Sequence, residues 1–221
     1  LGEYSAYEII HNNKRRRNEI LVLSSADIYI NGYGKKEHLE DTKPYSMAPC
    51  KSNALVLIGK YFYYGQNGLY QNYLKAKYYF ELAADNFNSY AFYYLGVMYE
   101  KGNGVRKDYE KAKMYYESSI FFNNPYGYLA LGNLYLNGHG VEKNYPVAKY
   151  FYTKSAEIGC PKAQIALSNL YYYGNGVEKN CQEAKDLIDN IDKQYINADT
   201  YLYLGDLYLF GYGVEKDYCK A

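Results

Sequence analysis

LGVMYEKGNGV (95–105), LGNLYLNGHGV (131–141), LSNLYYYGNGV (167–177) and LGDLYLFGYGV (204–214) are one phrase written four times. Their second loop glycines, Gly104, Gly140, Gly176 and Gly213, follow at steps of 36, 36 and 37 residues. Weaker copies stand upstream as IGKYFYYGQNGL (58–69), with one residue inserted in the glycine loop, and SADIYINGYG (25–34). Each loop leads to a second phrase: NYLKAKYYFELAA (72–84), DYEKAKMYYESS (108–119), NYPVAKYFYTKSA (144–156) or NCQEAKDLIDN (180–190). A fixed period of this length is the signature of stacked repeats. A chain of 221 residues divides into about six such units.

The spacing predicts two antiparallel helices per unit. Ala91, Leu95, Met98 and Tyr99 fall at i, i+4, i+7 and i+8, which is one helical face; Gly127, Leu131, Leu134, Tyr135 and Ala163, Leu167, Leu170, Tyr171 repeat it. Tyr99, Tyr135, Tyr171 and Tyr208 follow this buried face and are assigned to structure. Gly102 and Gly104 end the first helix, because glycine accepts the positive φ of a C-cap and tight turn. Asn72, Asp108, Asn144, Asn180 and Asp217 each stand where the second helix needs an N-cap. Ala76, Ala112, Ala148, Ala184 and Ala221 lie four residues further on, and with Gly59, Gly96, Gly132 and Gly205 they allow helices to approach closely. Pro125 and Pro161 are placed to open the next first helix.

Composition narrows the function. Lys plus Arg is 25 against 24 Asp plus Glu, so the net charge of +1 leaves no general footprint for nucleic acid or an anionic membrane. Hydrophobic residues at 48% and charged residues at 22% describe a folding chain rather than a disordered one. With 34 tyrosines and no tryptophan, tyrosine has to supply both large core side chains and much of the surface. No apolar run reaches the ~18 residues that span a bilayer, so membrane insertion of this segment is not expected.

The phrases A-x3-LG-x2-Y-x2-GxGV and K-[DN]-Y-x2-A-x3-Y resemble the Sel-one-like repeat (SLR) family, relatives of the tetratricopeptide repeat, over about residues 54–221. The resemblance implies an all-α, right-handed α/α superhelical solenoid of about six helix-turn-helix repeats of period 36. Two domains follow: residues 1–53 as degenerate N-terminal repeat material, and 54–221 as regular repeats with the last one truncated. Within residues 35–53, Pro44 and Pro49 interrupt a segment that should form a second helix. EYSAYEIIHNN (3–13) sits where the second helix of an earlier unit belongs, and the start at Leu1 suggests a slice of a longer array.

No catalytic or metal constellation emerges. Ser24, Ser25, Ser118, Ser119 and Ser168 lack a histidine and carboxylate in motif spacing, and no GxSxG occurs. Cys50, Cys160, Cys181 and Cys219 form no CxxC, and His11, His38 and His139 are scattered, so neither metal nor cofactor is expected. Isolated thiols and the absence of an N-x-S/T sequon favour a cytoplasmic setting. The GxG phrases recur once per unit and read as turns rather than phosphate cradles. Lys14-Arg15-Arg16-Arg17, the one dense basic run, reads as a solvated helix end.

What remains is surface. By resemblance to tetratricopeptide arrays, ligand-facing positions on each first helix stand at fixed offsets from the LG glycine; three before it the row is apolar throughout, at Leu23, Val56, Tyr93, Leu129, Ile165 and Leu202. One residue after it are Asp27, Lys60, Val97, Asn133, Asn169 and Asp206; four after it are Ile30, Tyr63, Glu100, Leu136, Tyr172 and Leu209; five after it are Asn31, Tyr64, Lys101, Asn137, Tyr173 and Phe210. Asn133, Asn169 and Asp206 would make a ladder at about 10 Å spacing, the amides pairing with the backbone of an extended peptide. Tyr63, Tyr172, Tyr173 and Phe210 would be aromatic anchors beside it. The plainer alternative is that these rows pack on neighbouring helices or face solvent. The reading that follows is a non-enzymatic scaffold or adaptor holding a protein or peptide partner on its concave helix face. Its alternative is a regulatory arm of a larger enzyme, such as a kinase or a ubiquitin-ligase complex of ER-associated degradation.

Overall fold

Four of the five anticipated caps start their helices by one bond each. The side-chain oxygens of Asn72, Asp108, Asn144 and Asn180 each accept a backbone N–H three residues ahead, from Lys75, Lys111, Val147 and Glu183, all at 3.0 Å. The caps' own N–H groups donate back to the preceding first helix, to Phe62, Tyr99, Tyr135 and Tyr171 carbonyls at 2.7–3.0 Å. The fifth, Asp217, donates to Tyr208 in the same way at 3.0 Å. A single Asn or Asp position thereby fixes both where a helix begins and how it is tied to its partner.

The computed structural model describes residues 48–189, 191–196, 198–211 and 215–217. These form nine α-helices and no strand, in two compact units divided between Phe122 and Asn123. The first unit holds α1 (Ala48–Tyr64), α2 (Tyr73–Ala84), α3 (Ser89–Lys101) and α4 (Tyr109–Phe121). The second holds α5 (Pro125–Asn137), α6 (Tyr145–Glu157), α7 (Pro161–Tyr173), α8 (Cys181–Asp189), a 3-10 turn (Lys193–Tyr195) and α9 (Ala198–Phe210). Hairpin partners α1–α2, α3–α4, α5–α6 and α7–α8 pack together, and α2–α3 and α6–α7 link successive pairs. This is the stacking of helix pairs that defines an α solenoid.

The first helices bury the face their spacing predicts: Ala91, Leu95 and Met98 in α3, Gly127, Leu131 and Leu134 in α5, Ala163, Leu167 and Leu170 in α7. Pro125 and Pro161 open α5 and α7. Gly102, Gly138 and Gly174 close α3, α5 and α7 in the left-handed region, at φ of 74, 72 and 71°. The second loop glycine has an added duty. A Cβ on Gly104 would stand 2.5 Å from Tyr73 Cβ at the start of the preceding α2, and one on Gly176 would stand 2.0 Å from Tyr145 Cβ in α6. The turn thus packs one repeat onto the last.

The tightest contact lies inside each hairpin. A Cβ on Gly59, Gly96 or Gly132 would meet the ring of Phe80, Tyr116 or Tyr152 at 2.5, 2.4 and 2.4 Å. The ring lies flat where a side chain would otherwise be, and all three rings are fully buried. In the next unit Ser168 replaces the glycine and Ile188 replaces the ring, both buried. Ser168 turns its hydroxyl to the Ala184 carbonyl at 2.6 Å. The larger residue on one helix is matched by the smaller on the other.

Two features depart from expectation. Helix α1 begins at Ala48, so the boundary set at 53/54 falls inside it, and Pro49 sits in its first turn, where proline is tolerated, instead of breaking a second helix. The remainder of residues 35–53, the stretches 3–13 and 25–34 and the basic run 14–17 lie outside the described residues. Phe87 is the other: it adopts φ of +57° in the turn between α2 and α3, where its counterparts are Asn123 at +57° and Gly159 at +87°. A bulky side chain there is strained by about 1–2 kcal/mol, and Phe87 is 69% exposed.

Three outcomes are expected. Gly132→Ala should destabilise by about 1–3 kcal/mol through overpacking against Tyr152. Gly132→Ser combined with Tyr152→Ile, copying the fourth unit, should cost less than the two single changes summed; a chemical-denaturation cycle showing simple additivity would contradict the ring-on-glycine contact. Phe87→Gly should raise the melting temperature, and no rise would mean that the turn carries no strain.

A fourth outcome concerns pH. Burial pushes the Tyr116 and Tyr152 phenols well above their ordinary 10.0, with the nearby Glu100 charge adding to the effect at Tyr116. Both ionise near 10 in the unfolded chain and only at higher pH in the fold. Their contribution is therefore whole below pH ~10 and lost as pH rises beyond it. Denaturation series from pH 8 to 11 should show that decline, and Tyr152→Phe should flatten it.

Candidate functional site

The rows expected to face a partner divide between the two units, and the structure treats them differently. In the first unit the core and its hydrogen bonds absorb them. Tyr63 is a departure from the expected exposed anchor: it is only 4% exposed and packs edge-on against Tyr73, with Phe80 and Tyr94 beside it. Its hydroxyl accepts a 2.7 Å bond from the Asn103 amide in the next glycine turn, and burial raises its phenol. Glu100 accepts the Tyr116 hydroxyl at 2.5 Å. Val97 packs against the core, and Lys60 Nζ lies 6.0 Å from the centre of the Tyr94 ring. Tyr64 and Lys101 remain exposed.

In the second unit the row five after the glycine is exposed as well, at Asn137, Tyr173 and Phe210, while Asn133, Leu136, Asn169, Tyr172 and Asp206 are half-buried. On α7, Asn169 and Tyr173 are one turn apart and share a face; on α9, Asp206 and Phe210 repeat the arrangement. Tyr173 is 62% exposed and Phe210 51%. Asn169 and Asp206 are half-buried at their foot. The two helices are joined across this face by the Tyr172 hydroxyl, which donates to Asp206 Oδ2 at 3.3 Å. Tyr172 also meets Tyr173 edge to face, with centroids 4.9 Å apart. Burial first, then the Asp206 charge, pushes the Tyr172 phenol up to about 12, so it stays protonated and donating at neutral pH. Lys179 Nζ stands 5.5 Å from the Tyr172 centroid, and a cation over that ring is held by its quadrupole.

Asn133 on α5 has a mixed position. Its Oδ1 accepts the Tyr152 hydroxyl at 2.7 Å, which leaves the amide NH2 as the group able to reach outward. Its backbone carbonyl takes the side-chain amide of Asn137 at 3.0 Å. The ladder member is thus also the peg for the ring that lies on Gly132. That double duty was not legible beforehand, since the second phrases show aromatic residues but not which one crosses to the first helix.

The remaining polar groups are structural. Ser119 donates to the Ser89 carbonyl at 2.9 Å, and Cys160 is buried at the N-cap of α7 without a capping side-chain bond. The first helices α3 and α5 have further caps that the sequence reading missed, Asn88 and Asn124, each accepting two N–H groups. Each precedes the helix by one residue, the ordinary signal for such a cap. A cleft of about 650 Å³ between α6, α7 and the turn into α8 is lined by Pro146, Lys149, Tyr171, Val177, Lys179 and Asn180 among others. Lys149 Nζ lies 4.9 Å from the Tyr171 centroid there. Among the described residues no group of three or more His, Cys, Asp or Glu is placed to hold a metal ion, and no helix is long and apolar enough to cross a membrane.

Three solved structures with this architecture are bacterial. A Sel1 repeat protein of Oxalobacter formigenes is 24% identical, aligning over 94% of this chain and 80% of its own, with a TM-score of 0.69. A protective antigen of uropathogenic Escherichia coli strains, described as displaying an SLR fold, is 26% identical with a TM-score of 0.66; 95% of this chain aligns with 45% of that one. A Sel1 repeat protein of Klebsiella pneumoniae shares the fold at 16% identity, with a TM-score of 0.54 over 78% of this chain and 84% of its own. No curated protein sequence matches. The Sel1 repeat model matches residues 52–86, 89–120, 125–160, 161–187 and 198–221; the first four matches each take in a glycine-ended first helix and a capped second helix described above, and the fifth takes in α9. The chain belongs to the Sel1 repeat family.

Proposed function

We propose that the chain is a non-enzymatic scaffold whose first-helix face in the second unit holds an extended segment of a partner protein. Sel1 repeats are in general protein-interaction repeats. The observation that carries the reading is the Tyr172–Asp206 bond, which ties two successive first helices together beside the exposed rings of Tyr173 and Phe210. Large aromatics left in water next to a fixed polar row are the usual form of a binding hot spot. Asn169 and the free NH2 of Asn133 supply groups that can pair with an extended backbone, as β-type peptide recognition requires. Tyr63 takes no part in this surface; its place is in the core of the first unit.

A photo-crosslinking amino acid at Tyr173 should capture a partner from cells, and the purified partner should then bind the 221-residue chain. Combining Asn169→Ala, Tyr173→Ala and Phe210→Ala should weaken that binding by at least ~30-fold, the scale of a lost hot spot. Met114→Ala with Phe121→Ala, on exposed positions of α4, should leave it unchanged. Circular dichroism establishes that both variants are folded. Equal binding by the triple variant would remove the face from consideration and leave the repeats as a spacer or arm.

A further inference from the structure

Asp206 is the one carboxylate on the first-helix rows of the second unit, where the equivalent residues of the preceding repeats are the amides Asn133 and Asn169. One of its oxygens is occupied by the Tyr172 hydroxyl at 3.3 Å. No basic side chain among the described residues forms an ion pair with it; Lys77, Lys111, Lys113, Lys154 and Lys185 each pair with other acids. The surroundings are aromatic: Tyr172 bonded to it, Tyr173 edge-to-face on Tyr172 at 4.9 Å, and Phe210 one turn along α9 on the same face. A half-buried carboxylate without an ion-pair partner, beside aromatic rings, is the chemical complement of a planar cation. The carboxylate pairs with the N–H fork and the rings take the flat faces.

We propose that Asp206, together with the faces of Tyr172, Tyr173 and Phe210, binds an arginine side chain of the partner segment. This inference rests on the groove reading above and names what that groove selects. Arginine fits better than lysine for two reasons. Its guanidinium stacks on aromatic faces while its N–H groups stay in plane and free to reach the carboxylate. It is also more weakly hydrated, so seating it against the rings costs less. Lys179, 5.5 Å from the Tyr172 centroid, demonstrates that a ring of this group already carries a cation within the chain. The asparagines on the two preceding first helices would bind backbone without preference for sequence, and Asp206 would set the register.

The test is a selection of displayed, random eleven-residue peptides on the 221-residue chain, followed by affinity measurements on the recovered peptides. Arginine should be enriched at one position of the recovered sequences. Replacing it by citrulline, which keeps the shape and removes the charge, should weaken binding to the unaltered chain at least ten-fold, and lysine should fall between. Asp206→Asn keeps an acceptor for the Tyr172 hydroxyl and should bring the arginine and citrulline peptides to equal affinity. The citrulline comparison uses the unaltered chain, so it decides the matter even if the variant folds poorly. Recovered peptides without enriched arginine, yet lost on Tyr173→Ala with Phe210→Ala, would overturn this inference and leave the groove standing. Recovery of no peptide at all would overturn both.

Discussion

An aromatic ring lying flat on a glycine is the contact on which the remaining geometry depends. In three successive hairpins the ring of Phe80, Tyr116 or Tyr152 occupies the space that a Cβ on Gly59, Gly96 or Gly132 would fill. This sets the distance between the two helices of a pair, and with it the position of everything the first helix presents. Each ring is fully removed from water, worth about 2 kcal/mol in transfer terms, and the hydroxyls of Tyr116 and Tyr152 do not lose their hydrogen bonds on burial. The exchange to Ser168 and Ile188 keeps the same volume rule with different residues.

The same contact links stability to surface chemistry. The phenol that reaches past the glycine must find a partner, and it finds one on the outward rows: Glu100 for Tyr116, Asn133 for Tyr152. Where the ring is Ile188 no such claim is made, and Asn169 on the same helix as Ser168 keeps its whole amide for other use. The fourth hairpin makes its internal bond from Ser168 to the Ala184 carbonyl instead, and leaves the Asn169 side chain out of it. The candidate groove lies there, and the single carboxylate of its rows, Asp206, is tied to it through Tyr172.

Tyrosine serves both purposes because it is amphipathic. Tyr116 and Tyr152 act as core residues, Tyr63 as a buried ring tied to the next turn through Asn103, and Tyr173 as an exposed face. Tyr63 and Tyr173 stand in the same first-helix phrase, so the local sequence alone does not separate the buried ring from the exposed one. Tyr63 and Tyr172 occupy the same offset, but Tyr63 meets Asn103, Tyr73 and Tyr94, and Tyr172 meets Asp206 and Tyr173.

The repeat, its two helices, their caps, the glycine turns and the family were all written in the sequence, because each is a local matter of periodicity, φ or a side chain three residues from an N–H. Asn72, Asp108, Asn144 and Asn180 could be named as caps from position alone, as could Pro125 and Pro161 at helix starts. The start of α1 at Ala48 was harder to read, since a proline breaks a helix in its middle and opens one in its first turn, and the residue is the same in both. Only the tertiary structure decided which aromatic crosses to which glycine, that Tyr63 is buried, and that Asp206 meets Tyr172 from 34 positions away. Those outcomes depend on which side chains from distant segments compete for one space, and burial of that kind is a property of the packed hairpin, not of any residue's own neighbours in the chain.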